Sequence, residues 1–250
     1  GCTRPIVDVF GSRTSRILVR NPPLQSISKK YRSIIRARQG AELSYVDFDQ
    51  FEVGIMAALS GDKQLAALYS AGDMYELFAG DHLGLTGNRK AAKQLFLSYA
   101  YGMSRKALVD AAVELGAERT KAKDAFRVFA RYEEWKTEIC AEFQRTGRIA
   151  TEMGNHYARS HSGVLTAKER RSAVSQVVQG TGSLIFKKAL LEVERLDDVT
   201  VLLPMHDALL FEHRLPDTPS TVITAFEQIM TTALGGRVTG KASTGNFAPA

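Results

Sequence analysis

Runs that read as β-strands lie near both ends of this 250-residue chain, and nearly everything between them reads as helix. A sheet drawn from both ends must close across a helical insertion, so the expected class is α+β: an antiparallel sheet with packed helices, interrupted by a mainly helical insertion. Residues 6–10 and 16–20 are short strand candidates, and 42–48 is an apolar run after Gly40. From Gln50 the pattern turns helical, with Phe51, Ile55, Ala58 and Leu59 on one face and Gly61 as the stop. Helices are expected from 62 to 145, the longest over 119–145 with Trp135. A short hairpin follows at 148–157, then a long helix over 168–195. Apolar runs at 199–203 and 209–211, split by Pro204-Met205-His206-Asp207, read as a hairpin. A helix at 218–234 and an edge strand within 241–247 complete the pattern.

The composition is that of an ordinary globular protein, 44% hydrophobic and 24% charged, which excludes a disordered or fibrous chain. No run of about 18 uncharged apolar residues suggests a membrane helix. Residues 1–5 lack both the apolar segment of a signal peptide and an initiator Met, so we expect a piece of a longer chain. Cys2 and Cys140 make no disulfide framework, and a reducing, cytoplasmic compartment is expected. A net charge of +6 favours polyanionic partners, weakly at this length.

Three constellations carry chemistry. In Asp47-Phe48-Asp49-Gln50-Phe51-Glu52, a carboxylate closes an apolar strand, which is costly unless a cation or donor meets it. Carboxylates holding two divalent ions serve in-line phosphoryl displacement. The alternative is that Asp47 or Asp49 caps the next helix. His206-Asp207 also admits two readings, a metal site or a plain turn. If the 42–47 strand lies beside the hairpin, Asp47 and Asp207 face one cavity and repel unless hard cations such as Mg²⁺ are shared. Third, Arg89, Lys93, Leu97 and Tyr101 recur every four residues and form one slowly winding helical stripe. Two cations followed by an apolar side chain and a phenol suit a nucleoside triphosphate. An amphipathic helix with Leu and Tyr in the core is the alternative. Asn88 and Gly102 suit its two ends.

The order Asp-x-x-Gln-x-Glu, Arg-x3-Lys-x7-Tyr-Gly, His-Asp resembles the polymerase motifs of family A DNA polymerases, the DNA polymerase I type. Gln179-Gly180-Thr181, with Arg171 eight residues before it, agrees. So does Thr14-Ser15-Arg16 followed by Asn21-Pro22-Pro23-Leu24-Gln25. The resemblance covers nearly the whole chain and implies a palm at 1–52 and 167–250, with fingers at 53–166. Thumb and exonuclease domains would lie upstream. The implied activity is template-directed DNA synthesis from dNTPs in replication or repair, by a monomer acting on primer–template DNA without a membrane. Asp47, Asp207 and the Phe48 carbonyl would hold two Mg²⁺. Arg89 and Lys93 would clamp the triphosphate, with Lys93 as proton donor to pyrophosphate. Gln50, Leu97 and Tyr101 would complete the nucleotide site, and Glu52 would block a ribose 2′ hydroxyl. Arg16, Gln25, Arg171, Gln179 and His206 would contact DNA.

Departures from the family are Leu97 for an aromatic, Ala208 for Glu, Tyr75 for His, Ser175 for Asn and Ser15 for Gly. Leu97 and the divergent early segment suggest a phage origin. Rivals are a single-subunit RNA polymerase, which would carry a small residue in place of Glu52, a two-metal nuclease, and a catalytically incomplete DNA-binding remnant. Trp135, Tyr132 and Phe129 are read as core. His82, His156 and His161 show no metal spacing, and Cys140 is read as a helix residue. Lys29-Lys30-Tyr31-Arg32 suits either a solvated face or a phosphate backbone.

Overall fold

The computed structural model describes residues 2–248; Gly1, Pro249 and Ala250, which the palm ranges include, lie outside the described residues. The elements in order are β1 (Ile6–Asp8), β2 (Leu18–Arg20), β3 (Glu42–Phe48), α1 (Phe51–Ser60), α2 (Lys63–Ala71), α3 (Met74–Leu77), α4 (Arg89–Ala100), α5 (Arg105–Glu114), α6 (Arg119–Asp124), α7 (Ala130–Thr146), β4 (Arg148–Ala150), β5 (His156–Ala158), α8 (Ala167–Val193), β6 (Thr200–Met205), β7 (Ala208–His213), α9 (Thr218–Ala233) and β8 (Ala242–Thr244). Short 3-10 turns occupy Leu24–Ser26 and Lys29–Ile34, and a π-turn occupies Phe78–Leu83. Two compact units result. One comprises Gly1–Phe51, Thr151–Asn155 and Gln179–Ala250, the other Glu52–Ala150 and His156–Val178.

The first unit is built on an antiparallel sheet in the order β6-β7-β3-β8. β3 is central, with Asp47 opposite Ala208 on β7 and Ser243 on β8. Alternation sends Val46 and Phe48 to one face and Leu43, Tyr45 and Asp47 to the other. Phe48 packs on Phe226 of α9 at 4.6 Å between centroids, and Phe226 meets Phe186 of α8 edge-on at 6.2 Å. Both of the latter rings are almost wholly buried. On the other face Val19, Leu203, Met205, Ala208, Leu210 and Phe247 form a cluster against which Tyr45 and Leu43 rest. β7 is buried along its whole length, as a strand covered on both faces must be. Its buried Glu212 is answered by Arg38, whose backbone N–H and Nε donate to it at 2.7 and 2.6 Å.

The hairpin is tighter than expected. Pro204 and Met205 belong to β6, and only His206-Asp207 form the turn, with Met205 opposite Ala208. Proline is tolerated because β6 is an edge strand. His206 has φ of 39°, the positive value that two-residue hairpin turns use to match strand twist.

The second unit holds a buried aromatic cluster of Phe78, Phe96, Tyr99, Phe126, Phe129 and Tyr132, with centroid spacings such as 4.7 Å for Tyr99–Phe126. This cluster corrects the single helix expected over 119–145. Phe126 and Phe129 turn inward, so the segment splits into α6 and α7. α7 has no cap from its own neighbour; instead the Asp62 carboxylate accepts from the Tyr132 N–H at 3.0 Å while capping α2 through Leu65 N–H at 2.9 Å. The two units divide inside α8, after Val178. Its first turns are tied to the second unit by the Glu169 carboxylate, which accepts from Arg159 Nε at 2.9 Å and Thr166 N–H at 2.8 Å. Among the described residues no helix is long and apolar enough to cross a membrane.

Candidate active site

In the first unit the end of β3 carries Asp47, and Asp207 stands beside its pairing partner Ala208; the Phe48 N–H donates to the Asp207 carbonyl at 3.3 Å. Tyr45 reports both carboxylates. Burial first, then the charge of Asp47, then that of Asp207, push its phenol up to about 12. Phenolate is disfavoured because negative charge is already concentrated there. Asp49 serves the sheet instead. Its carboxylate accepts from the Ser243 hydroxyl at 2.7 Å and its N–H donates to the Lys241 carbonyl at 2.9 Å, which fastens β8. The cap-or-cation ambiguity between the two aspartates is thus resolved for Asp49, a structural residue. Among the described residues no cluster of three or more His, Cys, Asp or Glu could hold a metal on its own. The oxygens available are those of two carboxylates and nearby carbonyls.

The early segment and the hairpin are tied together in the same unit. The Gln25 amide accepts from Val19 N–H at 3.1 Å and donates to the Ile17 and Pro204 carbonyls at 3.2 and 2.7 Å. Gln25, expected on DNA, has its amide engaged in bracing β2 against β6. Ser15 takes φ of 59°, a left-handed conformation that favours glycine. Its carbonyl accepts from the Ser183 hydroxyl and the Lys187 ammonium, both on α8. This pair has no local sequence signal. The next residue is Arg16, half-buried, while His206 is exposed and Gln179 half-buried.

In the second unit α4 presents the stripe as spaced. Asn88 caps it, accepting from Ala91 N–H at 3.3 Å, and Gly102 ends it with φ of 93°. Arg89, Leu97 and Tyr101 are half-buried and Lys93 is exposed, whereas Ala92, Leu95, Phe96, Tyr99 and Ala100 are buried. The buried face of α4 is therefore formed by residues other than the stripe. Arg89 and Lys93 lie over the Tyr75 ring at 5.4 and 5.7 Å. Arg89 Nε also donates to Asp73 at 2.6 Å, in a partly exposed ion pair. Burial, followed by the Glu52 charge, holds the Tyr75 phenol far above its usual range. Glu52 also accepts a hydrogen bond from the Tyr101 hydroxyl. Asp73, which the sequence reading missed, also caps α3, accepting from Tyr75 N–H at 3.0 Å. Tyr101, Gly102 and the exposed Arg171 line one cleft of about 390 Å³ with Lys136 and Arg170.

Among solved structures, the fold matches the POL domain of Pol1 from M. smegmatis, determined in complex with DNA primer-template and dNTP, with a TM-score of 0.78 at 23% identity over 96% of this chain and 47% of that one. A family model described as DNA polymerase family A matches residues 5–245, so the chain belongs to that family. DNA polymerase I of Treponema pallidum is 27% identical over 84% of this chain and 23% of its own length. DNA polymerase I of Pseudomonas aeruginosa is 29% identical over 80% and 24%. DNA polymerase theta of Caenorhabditis elegans is 29% identical over 84% and 14%. The chain spans about a quarter or less of the length of these curated relatives.

Proposed function

We propose that this chain is the palm and fingers portion of a DNA-directed DNA polymerase, which joins a deoxynucleotide from a dNTP to a primer 3′ hydroxyl and acts as a monomer. The observation that carries the reading is the pairing of β3 with β7, which puts Asp47 opposite Ala208 and both carboxylates within electrostatic reach of Tyr45. The donor set fits a hard divalent cation, because it consists of oxygens only. Mg²⁺ is commonly held by one or two carboxylates with water and substrate phosphates completing its shell. Asp47, Asp207 and the Phe48 carbonyl would hold two Mg²⁺. When bound, these ions would supply Lewis-acid activation of the attacking hydroxyl and charge neutralisation at the departing pyrophosphate.

The remaining roles belong to side chains. Arg89 offers a planar fork and Lys93 a point charge to triphosphate oxygens, and Lys93 would give a proton to pyrophosphate. Arg89 must exchange Asp73 for phosphate when it does so. Glu52, held by Tyr101, excludes a ribose 2′ hydroxyl, which favours DNA over RNA synthesis. Gln50 and Leu97 complete the nucleotide site. Arg16, Arg171, Gln179 and His206 contact the primer–template backbone and position it without reading sequence.

Primer extension with Mg²⁺ and dNTPs, beside Asp47→Asn and Asp207→Asn, tests the reading. Extension that both substitutions abolish, with unchanged circular dichroism, supports it. Full activity in either variant refutes the metal assignment. Primer–template binding without any extension would favour the alternative of a DNA-binding remnant.

A further inference from the structure

In the helical unit, the start of α3 builds a seat for the Arg89 side chain. The Asp73 carboxylate accepts from Arg89 Nε at 2.6 Å, and the guanidinium lies 5.4 Å from the centre of the Tyr75 ring. The Lys93 ammonium, one turn further along α4, lies 5.7 Å from the same ring. Two cations are thus drawn to one aromatic face, and only the first of them also meets a carboxylate. Among the described residues Lys93 forms no ion pair.

The seat is fixed and its occupant is not. One Asp73 oxygen accepts from the Tyr75 and Glu76 N–H groups at 3.0 and 3.3 Å, while the other accepts from Arg89. Tyr75 is buried, its ring 6.3 Å from that of Phe96. A carboxylate held by two backbone donors cannot follow the guanidinium when that group turns to another anion. Burial alone would raise the Asp73 carboxyl, but the Arg89 hydrogen bond, with those of the Glu76 and Tyr75 N–H groups, holds it below the usual carboxylate range. Its negative charge therefore stays beside Arg89 at neutral pH. The pair is open to solvent, with 43% of the Arg89 side chain and 35% of the Asp73 side chain exposed. Such a pair is of small worth, so an incoming phosphate can displace the carboxylate. The carboxylate is still in place when the phosphate departs.

We propose that Asp73 is a built-in competitor for Arg89: it takes back the guanidinium as pyrophosphate leaves, and so weakens pyrophosphate binding and speeds product release. The inference rests on the reading of Arg89 as a triphosphate ligand and adds that the site carries its own stand-in anion. A dNTP would keep its contacts with Leu97 and Tyr101 while Arg89 is exchanged. Pyrophosphate has only the two cations of the stripe, and one of them has another partner waiting. A weaker complex of this kind differs from a stronger one mainly in how fast it dissociates. Asp73 would act through Arg89 and is a positioning residue, with no contact to the reacting atoms.

The test is calorimetric titration with inorganic pyrophosphate, in EDTA at neutral pH and low salt, of the parent chain, Asp73→Asn, Arg89→Gln and the double variant. Asparagine keeps the cap of α3 and removes the charge. Asp73→Asn should bind pyrophosphate about two- to fivefold more tightly, the worth of a partly exposed ion pair. The gain should vanish in the Arg89→Gln background, where the competitor has nothing to hold. Asp110→Asn, which removes the carboxylate of another exposed pair in the same unit, at 3.3 Å from Arg119, should leave the affinity unchanged. Weaker binding in Asp73→Asn overturns the proposal, since the carboxylate would then be orienting Arg89 for phosphate. An unchanged affinity also overturns it, and so does an equal gain without Arg89, which would be a general field effect. Primer extension is measured in parallel, and pyrophosphate should inhibit Asp73→Asn at a concentration lower by the same factor. If the parent chain fails to extend while the Arg89-dependent gain is present, the polymerase reading falls and the competitor stands as a property of an anion site. If extension is normal and the affinity is unchanged, the competitor proposal falls alone.

Discussion

Tyr101 donates its hydroxyl to the Glu52 carboxylate, which ties the end of α4 to the first turn of α1. The bond fixes the carboxylate that is proposed to exclude a 2′ hydroxyl. Glu52→Ala should lower the preference for dNTP over rNTP about 10- to 200-fold, the range available to steric discrimination in a pocket. Tyr101→Phe should lower it less, because the carboxylate remains but is no longer held. Competition between dNTP and rNTP in single-nucleotide extension decides the matter, and unchanged selectivity in Glu52→Ala would falsify the assignment.

Ser15 bears the cost of a left-handed conformation, about 1 kcal/mol for a residue with a Cβ. Ser15→Gly should raise the melting temperature by about 2–4 °C. Ser183→Ala and Lys187→Met each withdraw a donor from the Ser15 carbonyl and should lower it. Thermal unfolding followed by circular dichroism checks the three signs, and a destabilised Ser15→Gly would contradict the strain.

The Tyr45 phenol measures the charge of the two aspartates without any catalysis. Alkaline titration of ¹³C-labelled tyrosine should show one resonance with a midpoint near 12. Asp47→Asn should move it down, Asp207→Asn should move it down less, and the double substitution most. Burial remains in every variant, so the midpoint should stay above the ordinary value near 10. A midpoint indifferent to both substitutions would mean that the carboxylates do not share this site.

Glu212 predicts an acid limb of stability. The Arg38 backbone hydrogen bond, and then its guanidinium, outweigh burial and hold the Glu212 carboxyl below its usual value. A depressed folded-state pKa gives stability that is fully present above the unfolded value, about 4.3, and is lost as pH falls through the folded one. Glu212→Gln should cost about 2 kcal/mol at pH 7 and flatten the acid side of a urea-midpoint profile. A profile with the wild-type slope would remove Glu212 from the acid response.

Leu97 is proposed to offer the nucleotide an aliphatic contact in place of ring stacking. Leu97→Phe should change dideoxynucleotide incorporation relative to dNTP, read as the ratio of kcat/KM values. It should leave stability nearly unchanged, because position 97 is only half-buried. An unaltered ratio would place Leu97 outside the nucleotide site.

How far the sequence is legible follows the range of the forces involved. β3 is readable to the residue because Gly40 and Gln50 bound an apolar run, and α4 because Asn88 and Gly102 mark its ends. Asp47 and Asp207 are readable as a pair only through the order of three short motifs. The division at 125–129 is hidden, since inward rotation of Phe126 and Phe129 is decided by Phe78 and Tyr99, far away in sequence. The double use of Asp62, the clamp on Ser15 and the engagement of Gln25 by Pro204 are hidden for the same reason: each is a polar contact between distant segments with no periodicity to announce it.

The pairing of Asp47 with Ala208 also has a temporal meaning. About 160 residues of chain separate the two positions. On a ribosome adding 5–20 residues per second, β3 would wait about 8–30 s for β7. During that interval the apolar edges of Val46 and Phe48 have no sheet to join, while the helical segment emerges and can pack its aromatic cluster from contacts nearer in sequence. The part of the molecule proposed to select nucleotides would thus acquire its shape before the part proposed to join them, and the nascent β3 is the stretch that most needs shielding in between.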